Sequence, residues 1–257
     1  MADFDPNTPS VARVYDYLLG GKDNFAVDRQ LADRLLEVAP LSVQVIRENR
    51  RFLARAVTWT ASQGISQFID LGCGMPTAPS THETARAVTP DARVAYVDND
   101  AVVLNHLYVL VAKGDPGVTV VGGDLRETDK TMQAVAAGID LAKPVCLMMG
   151  FLLHFFAADA ARDLVARYAA ALAPRSYIVL SAGRADGEEA KKGFAAYSSG
   201  GIQVYNHSVA EFASFFGSRD LEPPGVVDAR AWRPDLEQPV ALEPRDGQVI
   251  VGVARVG

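Results

Sequence analysis

The sequence contains few of the residues that cross-link small proteins or hold metal ions. Its 257 residues include two cysteines and four histidines. Cys73 and Cys146 cannot build a disulfide framework, and so few cysteine and histidine side chains make a poor metal site. We therefore expect neither a disulfide-stabilised secreted domain nor a metalloprotein.

Long apolar runs and an excess of positive charge are also lacking. The longest apolar run, residues 145–158, is too short to span a bilayer, and it contains His154. Residues 1–6 form neither a basic leader nor an apolar signal core. With 25 basic and 31 acidic side chains, the formal net charge is −6, which does not favour a nucleic-acid partner. Composition thus predicts a soluble, cytoplasmic protein with no membrane or nucleic-acid partner.

The apolar residues, 49% of the chain, suffice for one sizeable core, and their spacing changes near residue 65. Before that point the pattern predicts helices at 11–19, with Ser10 as N-cap, at 28–39 and at 42–62. After it, short runs rich in Val and Ile alternate with Ala-rich helical stretches. The predicted strands are 67–71, 93–98, 118–121, 145–149, 177–181, 226–227 and 248–253. The predicted helices between them are 81–88, 101–113, 128–137, 159–172 and 209–216.

Strands that alternate with helices of this length predict parallel pairing with right-handed crossovers. The last two strands nearly follow each other in the chain, which predicts an antiparallel hairpin at one edge. The expected fold is α/β: a Rossmann-like, seven-stranded, mostly parallel sheet with helices on both faces. We expect one domain over 1–257, in which residues 1–64 form a helical N-terminal extension that caps the core, 65–257.

Three of the predicted parallel strands end in carboxylates, and ligands bind at such strand ends. Asp70 ends the first strand and precedes Gly72 and Gly74, which let the backbone turn tightly and approach a ligand closely. Asp98 ends the second strand, where a carboxylate can accept two hydrogen bonds from a ribose diol. Asp124 follows the third strand, where it could receive an adenine amino group. Together they predict a site for a nucleoside-containing cofactor.

A nicotinamide cofactor and an adenosyl cofactor both carry a ribose, so two interpretations of this site compete. A G-x-G-x-x-G fingerprint would need glycine where the chain has Thr77. Asp70 also precedes the first glycine, and its charge does not favour a pyrophosphate. It suits a cationic ligand, such as the amino group and sulfonium of S-adenosyl-L-methionine. The pattern therefore favours S-adenosyl-L-methionine over NAD(P).

The motifs Asp-Leu-Gly-Cys-Gly, Tyr-Val-Asp-Asn-Asp and Gly-Asp-Leu resemble the first three motifs of class I S-adenosylmethionine-dependent methyltransferases. The whole chain resembles a bacterial S-adenosyl methyltransferase family, common in actinomycetes, whose members mostly have no assigned substrate. The most specific part of the resemblance is 9–29, and further matching segments are 49–53, 76–79, 153–155, 221–227 and 232–234. The chain departs from the family at Cys73, where a Thr or similar small residue is usual, and at 149–152, where we expect a smoother aliphatic run.

The resemblance implies that the chain binds S-adenosyl-L-methionine and releases S-adenosyl-L-homocysteine. Asp70, Gly72 and Gly74 would meet the methionine moiety. Asp98 would meet the ribose, and Asp124 with the Leu125 backbone would meet the adenine, bordered by Asn99. Residues 20–25 would form part of a lid over the cofactor, and Lys22 or Arg13 could hold the methionine carboxylate. The expected cofactor-binding residues are Arg13, Tyr17, Lys22, Asn24, Phe25, Asp70, Gly72, Cys73, Gly74, Asp98, Asn99, Asp124, Leu125 and Gly150.

His154 is the candidate catalytic residue, because it lies just past the fourth strand, near the expected site of methyl transfer. A general base is needed only if the acceptor is protonated at working pH. The usual outcome for Arg50, on the third helix, is a solvated or ion-paired face, and Tyr15 is more often a packing residue than a substrate wall.

The expected activity is methyl transfer to an unidentified small-molecule acceptor. Two alternatives stay open at this point. One is a regulatory or scaffolding protein that binds S-adenosylmethionine or S-adenosylhomocysteine without turnover. The other, less favoured, is an NAD(P)-dependent reductase.

Overall fold

The structure is a computed structural model that describes residues 5–234 and 249–257. Its first part is helical, with α1 (Val11–Leu18), α2 (Ala26–Val38) and α3 (Ser42–Ser62). α1 ends before Gly20, whose φ of +87° turns the chain out of the helix. None of the helices within the described residues is both long and apolar enough to cross a lipid bilayer.

An eight-stranded sheet follows the helical part. Its strands are β1 (Gln67–Leu71), β2 (Arg93–Asp98), β3 (Val118–Gly122), β4 (Cys146–Met149), β5 (Tyr177–Gly183), β6 (Asp220–Leu221), β7 (Val227–Asp228) and β8 (Val249–Arg255). The order is β3-β2-β1-β4-β5-β8-β6, and β7 also pairs with β8. β1 to β5 pair in parallel, whereas β8 runs antiparallel to β5, β6 and β7.

This sheet confirms the predicted α/β class, the parallel pairing and the antiparallel edge hairpin of β7 and β8. The prediction of seven strands was wrong, because the structure adds the two-residue strand β6. Asp220 and Leu221 are both exposed and form no apolar run, whereas the equally short β7 begins at the second of two adjacent valines. Gln248, the predicted first residue of the last strand, lies outside the described residues.

The part of the chain that the structure describes has six further α-helices: α4 (Thr81–Arg86), α5 (Ala101–His106), α6 (Thr128–Val135), α7 (Ala158–Ala170), α8 (Glu188–Ser199) and α9 (Val209–Ser214). The predicted single helix 101–113 divides into α5 and a π-helical turn at Leu107–Ala112. α8 was not predicted. It packs on α2, where a Cβ in place of its Gly193 would lie 3.2 Å from the Cβ of Ala39, so glycine permits the close contact.

The sheet buries one apolar cluster on each face. Ile69 and Leu71 point to the face covered by α6, α7 and α9, and Phe68 points to the face covered by α3, α4 and α5. A third, smaller cluster joins α1, α2 and the beginning of α3. Because helices cover both faces, the carboxyl ends of β1 to β4 are left as the edge at which a ligand can enter.

Candidate active site

The carboxyl ends of β1 to β4 open into a cavity of about 660 Å³, and α1 and α3 supply its opposite wall. This volume is typical of ligand sites in proteins. The strand order changes direction between β1 and β4, which is the position where open parallel sheets bind their ligands. The predicted site residues that line the cavity are Arg13, Asp70, Gly72, Cys73, Gly74, Asp98, Asn99, Asp124, Leu125 and Gly150.

β1 ends in a tight turn that only glycine accommodates easily. Gly72 and Gly74 both have a φ of +65°, and a Cβ at Gly72 would come within 3.0 Å of the Leu152 side chain. Asp70, the carboxylate before this turn, accepts a hydrogen bond of 2.6 Å from Thr81 Oγ1. Burial raises the pKa of Asp70, since the cavity wall shields the carboxylate from water.

Asp98 is held in a fixed orientation by backbone donors from two loops. Its Oδ2 accepts a hydrogen bond of 2.9 Å from the N–H of Gly74. Its Oδ1 accepts hydrogen bonds from the N–H groups of Asn99 at 2.8 Å and Asp100 at 2.9 Å. Burial raises the pKa of Asp98. Because a carboxylate has about four acceptor positions, these bonds leave room for a further donor from a ligand.

Asp124 lies at the other end of the cavity, after β3, and is partly exposed. Both of its carboxylate oxygens accept hydrogen bonds from Arg126, at 3.0 Å from Nε and 2.5 Å from Nη2. This neighbouring guanidinium lowers the pKa of Asp124. Since the Arg126 side chain is 73% exposed, the pair is weakly held and can rearrange around a ligand. The carbonyl of Leu125 accepts a bond of 3.0 Å from the Tyr168 hydroxyl.

A sequence model described as S-adenosyl methyltransferase matches residues 1–257. The chain belongs to the S-adenosyl methyltransferase family. This match confirms the resemblance inferred from the motifs, and with it a methyltransferase that uses S-adenosyl-L-methionine as cofactor. It supports that activity over a regulator without turnover and over a nicotinamide-dependent reductase.

Solved structures agree with this family membership. A protein from Thermobifida fusca described as a methyltransferase is 38% identical, with a TM-score of 0.91 over 97% of this chain and 96% of that one. A DUF574 family protein from Streptomyces avermitilis is 31% identical, with a TM-score of 0.91 over 98% of this chain and 99% of that one. Human N-acetylserotonin methyltransferase, in complex with S-adenosylmethionine, is 16% identical with a TM-score of 0.51 over 98% of this chain and 63% of that one, and shares the fold. No protein of curated function matches the sequence.

Arg13 of the methyltransferase reaches the cavity wall, but its guanidinium already has several partners. Its Nε donates to Asp28 at 2.8 Å, and its Nη2 donates to the carbonyl of Thr8 at 2.6 Å. Its Nη1 lies 3.4 Å from Asp100, and the ring of Phe25 lies 5.1 Å from the guanidinium carbon. Arg13 therefore joins α1 to α2 and to the loop after β2. This geometry does not match the prediction that Arg13 binds the methionine carboxylate, because its N–H groups already donate to partners within the protein.

Among the described residues, the cavity lining leaves out four of the predicted cofactor-binding residues: Tyr17 on α1, and Lys22, Asn24 and Phe25 of the predicted lid. The Tyr17 hydroxyl donates to Asp33 at 3.1 Å near the surface, and Lys22 is exposed. The Asn24 amide donates to Asp16 at 2.9 Å, a hydrogen bond that stabilises the turn between α1 and α2. These contacts shape the turn and do not reach the strand ends.

His154 also lies outside the cavity lining, behind the wall formed by its neighbours. Its side chain is buried, and its Nδ1 accepts a hydrogen bond of 3.2 Å from the N–H of Gly183. The rings of Phe151 and Phe155 lie 4.7 and 4.2 Å from the imidazole. Burial lowers the pKa of His154 to about 3. The predicted general base is therefore a neutral imidazole with its acceptor nitrogen engaged, which does not suit it to remove a proton.

Sequence reasoning did not identify Arg50 as a cavity residue. From the sequence we expect Arg50 on a solvated or ion-paired face of the third helix. In the structure its side chain lines the cavity, and its Nη2 donates to the carbonyl of Thr77 at 2.9 Å. A signal was present in the helical spacing, because Arg50 lies on the side of α3 marked by the apolar residues Ile46, Leu53 and Val57. Arg51, the next residue, points to solvent with a side chain that is 61% exposed.

Proposed function

We propose that the cavity binds S-adenosyl-L-methionine along the ends of β1, β2 and β3, and holds a small-molecule acceptor beside the end of β4. The observation that carries this proposal is the buried Asp98 carboxylate, oriented by three backbone donors at the end of β2. A carboxylate fixed in this way, with an acceptor position left over, is suited to receive a hydroxyl group of a ribose.

The residues present fit the cofactor. The turn at Gly72 and Gly74 leaves a space that a Cβ would narrow, so the backbone can approach a ligand closely. The carboxylates of Asp70 and Asp98 give the cavity a negative potential at the ends of β1 and β2, which suits a ligand with a sulfonium and an ammonium group, whereas Asp124 is paired with Arg126. A phosphate-bearing dinucleotide would meet repulsion from the same side chains.

When bound, S-adenosyl-L-methionine supplies a methyl group whose bond to sulfur breaks with its electron pair left on sulfur, while a lone pair of the acceptor forms the new bond. The chain's own residues bind, orient and shield the reactants. Asp98 and the turn at Gly72 and Gly74 hold the cofactor, and the cavity walls formed by α1 and α3 shield the reactants from water. Orientation of this kind is worth about 7–11 kcal/mol in intramolecular reactions.

We assign the methionine carboxylate to Arg50. Its Nη2 donates to the Thr77 and Pro79 carbonyls, at 2.9 and 3.3 Å, which fixes the guanidinium at the cavity wall. A guanidinium has five N–H donors in a planar fork, and this fork matches a carboxylate. Arg50 also lowers the pKa of Asp70 somewhat against the larger effect of burial, so it lies close to the expected amino-acid end of the cofactor.

We further propose that residues 1–64 cap the cofactor-binding core of 65–257, because α1 and α3 line the cavity opposite the strand ends. An acceptor that is a small molecule fits a cavity enclosed in this way. The cytoplasmic location and the lack of a nucleic-acid partner stay predictions from the sequence.

Substitution of Arg50 by methionine tests the carboxylate assignment, with Arg51→Met as the matched control on the solvent side. We expect Arg50→Met to weaken S-adenosyl-L-homocysteine binding about tenfold or more, since a charged hydrogen bond is lost. Binding of 5′-methylthioadenosine, which lacks the amino-acid end, should be unchanged. Isothermal titration calorimetry measures both ligands on both variants. Equal weakening of the two ligands would show that Arg50 only supports the loop at residues 77–79.

A further inference from the structure

We propose that the methyl acceptor is a flat, uncharged aromatic molecule, and that Phe151 is the residue that selects it. The proposal rests on the proposed function, because it assigns the part of the same cavity that the cofactor does not use. It is carried by a strained backbone position, by the side chains that hold it, and by the ring that it places in the cavity wall.

Phe151 has a backbone conformation that bulky residues avoid. Its φ is +56°, in the left-handed region where a Cβ crowds the backbone and where glycine is usual. The positive φ belongs to Phe151 and not to the preceding Gly150, so the strained position is occupied by a bulky residue although a glycine is next to it. Backbone strain of this kind persists where surrounding contacts determine it, and it clusters at ligand sites.

Two neighbouring elements hold this conformation through a buried polar chain. The N–H of Phe151 donates to the Ser181 Oγ at 2.8 Å and to the Ser181 carbonyl at 3.1 Å. The Ser181 hydroxyl in turn donates to Asn49 Oδ1 at 2.6 Å. Ser181 is fully buried and Asn49 is 1% exposed. β5 and α3 therefore fix the turn after β4, and the energy of these bonds offsets the strain.

The fixed turn places aromatic side chains together in the cavity wall. Phe151 and Tyr15 line the cavity with ring centroids 6.2 Å apart, and Phe155 and Phe156 line it as well. The turn is closely packed, because a Cβ at Gly150 would come within 2.7 Å of Leu53. Aromatic walls bind flat rings by offset stacking and edge contacts.

The strand order separates this aromatic wall, formed by Tyr15, Phe151, Phe155 and Phe156, from the carboxylates at the strand ends. Along the order β3-β2-β1-β4, the strand ends carry Asp124, Asp98, Asp70 and then Phe151. The polar groups beside this aromatic wall include the neutral imidazole of His154, the amide of Asn49 and the phenol of Tyr15, whose pKa is raised by burial. The charged group that acts on Tyr15 is Arg50, which we assign to the methionine carboxylate. A charged aliphatic acceptor would find no matching partner on this wall, whereas an uncharged ring would bury its faces there.

The test uses the full chain saturated with S-adenosyl-L-homocysteine and probes it by saturation-transfer NMR and calorimetry. Indole, quinoline and catechol serve as flat probes, and cyclohexanol and butylamine serve as aliphatic probes. We expect the flat probes to bind and the aliphatic ones not to. Phe151→Gly should weaken the flat probes about tenfold while folding well, because glycine accepts the positive φ. Phe151→Leu keeps the bulk, loses the ring, and should weaken them as well.

Phe194→Leu is the matched control, since this ring lies 6.1 Å from His154 and outside the cavity lining. It should leave probe binding unchanged, and every variant should keep the wild-type affinity for S-adenosyl-L-homocysteine. Equal binding of aliphatic probes, or flat-probe binding that neither Phe151 variant weakens, would overturn the proposal. Failure of S-adenosyl-L-homocysteine to bind the wild type would instead contradict the proposed function, so the two failures are distinguishable.

Discussion

At the scale of single residues, the cavity combines carboxylates that are costly to bury with backbone groups that offset the cost. Asp98 receives three backbone N–H bonds, and Asp70 receives the Thr81 hydroxyl, yet burial still raises the pKa of both. The remaining cost favours a positively charged ligand, because such a ligand stabilises the ionised carboxylates that water no longer reaches. Asp70 is thus suited to a cationic group of the ligand, whereas Asp98, held by three backbone donors, is suited to a ribose hydroxyl.

The buried imidazole of His154 gives a prediction about stability and pH. Its pKa is about 3 in the folded chain against an ordinary value of 6.5, so the unfolded chain binds more protons between these two values. The free energy of unfolding contributed by this group is complete above pH 6.5 and is lost as the pH falls toward 3. Each pKa unit corresponds to about 1.4 kcal/mol.

His154→Asn tests this prediction, since the asparagine Oδ1 can accept the Gly183 N–H but does not titrate. Denaturant unfolding at a series of pH values should show that the wild type loses several kcal/mol more stability than the variant between pH 6.5 and pH 4. Parallel stability curves for the two proteins would contradict the burial of a neutral histidine at this position.

At the scale of elements, α1 depends on contacts with the rest of the chain. It has eight residues, and a helix of this length is not stable alone in water. The Arg13–Asp28 pair at 2.8 Å holds it to α2, and the Ser10 hydroxyl holds it to Asp100 after β2 at 2.5 Å. Both side chains of the Arg13–Asp28 pair are buried, which makes the pair important for docking α1 over the cavity.

Asp28→Asn should therefore destabilise the methyltransferase by about 1.5–3 kcal/mol, because it removes the nearer of the two carboxylates beside the buried Arg13 guanidinium and leaves Asp100 at 3.4 Å. Asp33→Asn, an exposed position on the same helix, is the matched control and should cost little. Chemical denaturation measures the stability, and hydrogen exchange should show faster opening of residues 9–25 in Asp28→Asn. Similar stability in the two variants would mean that α1 is held by its apolar contacts alone.

Sequence and structure agree most closely where local pattern decides the element. β1 and β2 were predicted to the residue, because buried parallel strands are continuous apolar runs with clear ends. α8 was missed because its charged beginning and its glycine hide the helical pattern, and only packing on α2 explains it. The division of the helix after β2 at Leu107 likewise has no local signal that we can identify.

The same distinction applies to the site. The carboxylates at the strand ends could be predicted, since parallel strands bring their carboxyl ends to one edge. The direction of a side chain on a loop or helix could not, because it depends on packing between distant segments. For this reason the sequence did not show that Arg50 lines the cavity and that His154 does not. The strained conformation of Phe151 likewise depends on its contacts with β5 and α3 and has no local sequence signal.

At the scale of the whole molecule, the central claim is that this one cavity holds the adenosyl cofactor, with its ribose on Asp98. The most direct test is calorimetric titration of the wild type and Asp98→Asn with S-adenosyl-L-homocysteine and NAD. We expect one S-adenosyl-L-homocysteine bound per wild-type chain, no binding of NAD, and an affinity for S-adenosyl-L-homocysteine lowered about tenfold or more in Asp98→Asn. Binding of NAD without S-adenosyl-L-homocysteine, or an Asp98→Asn variant with wild-type affinity, would contradict it.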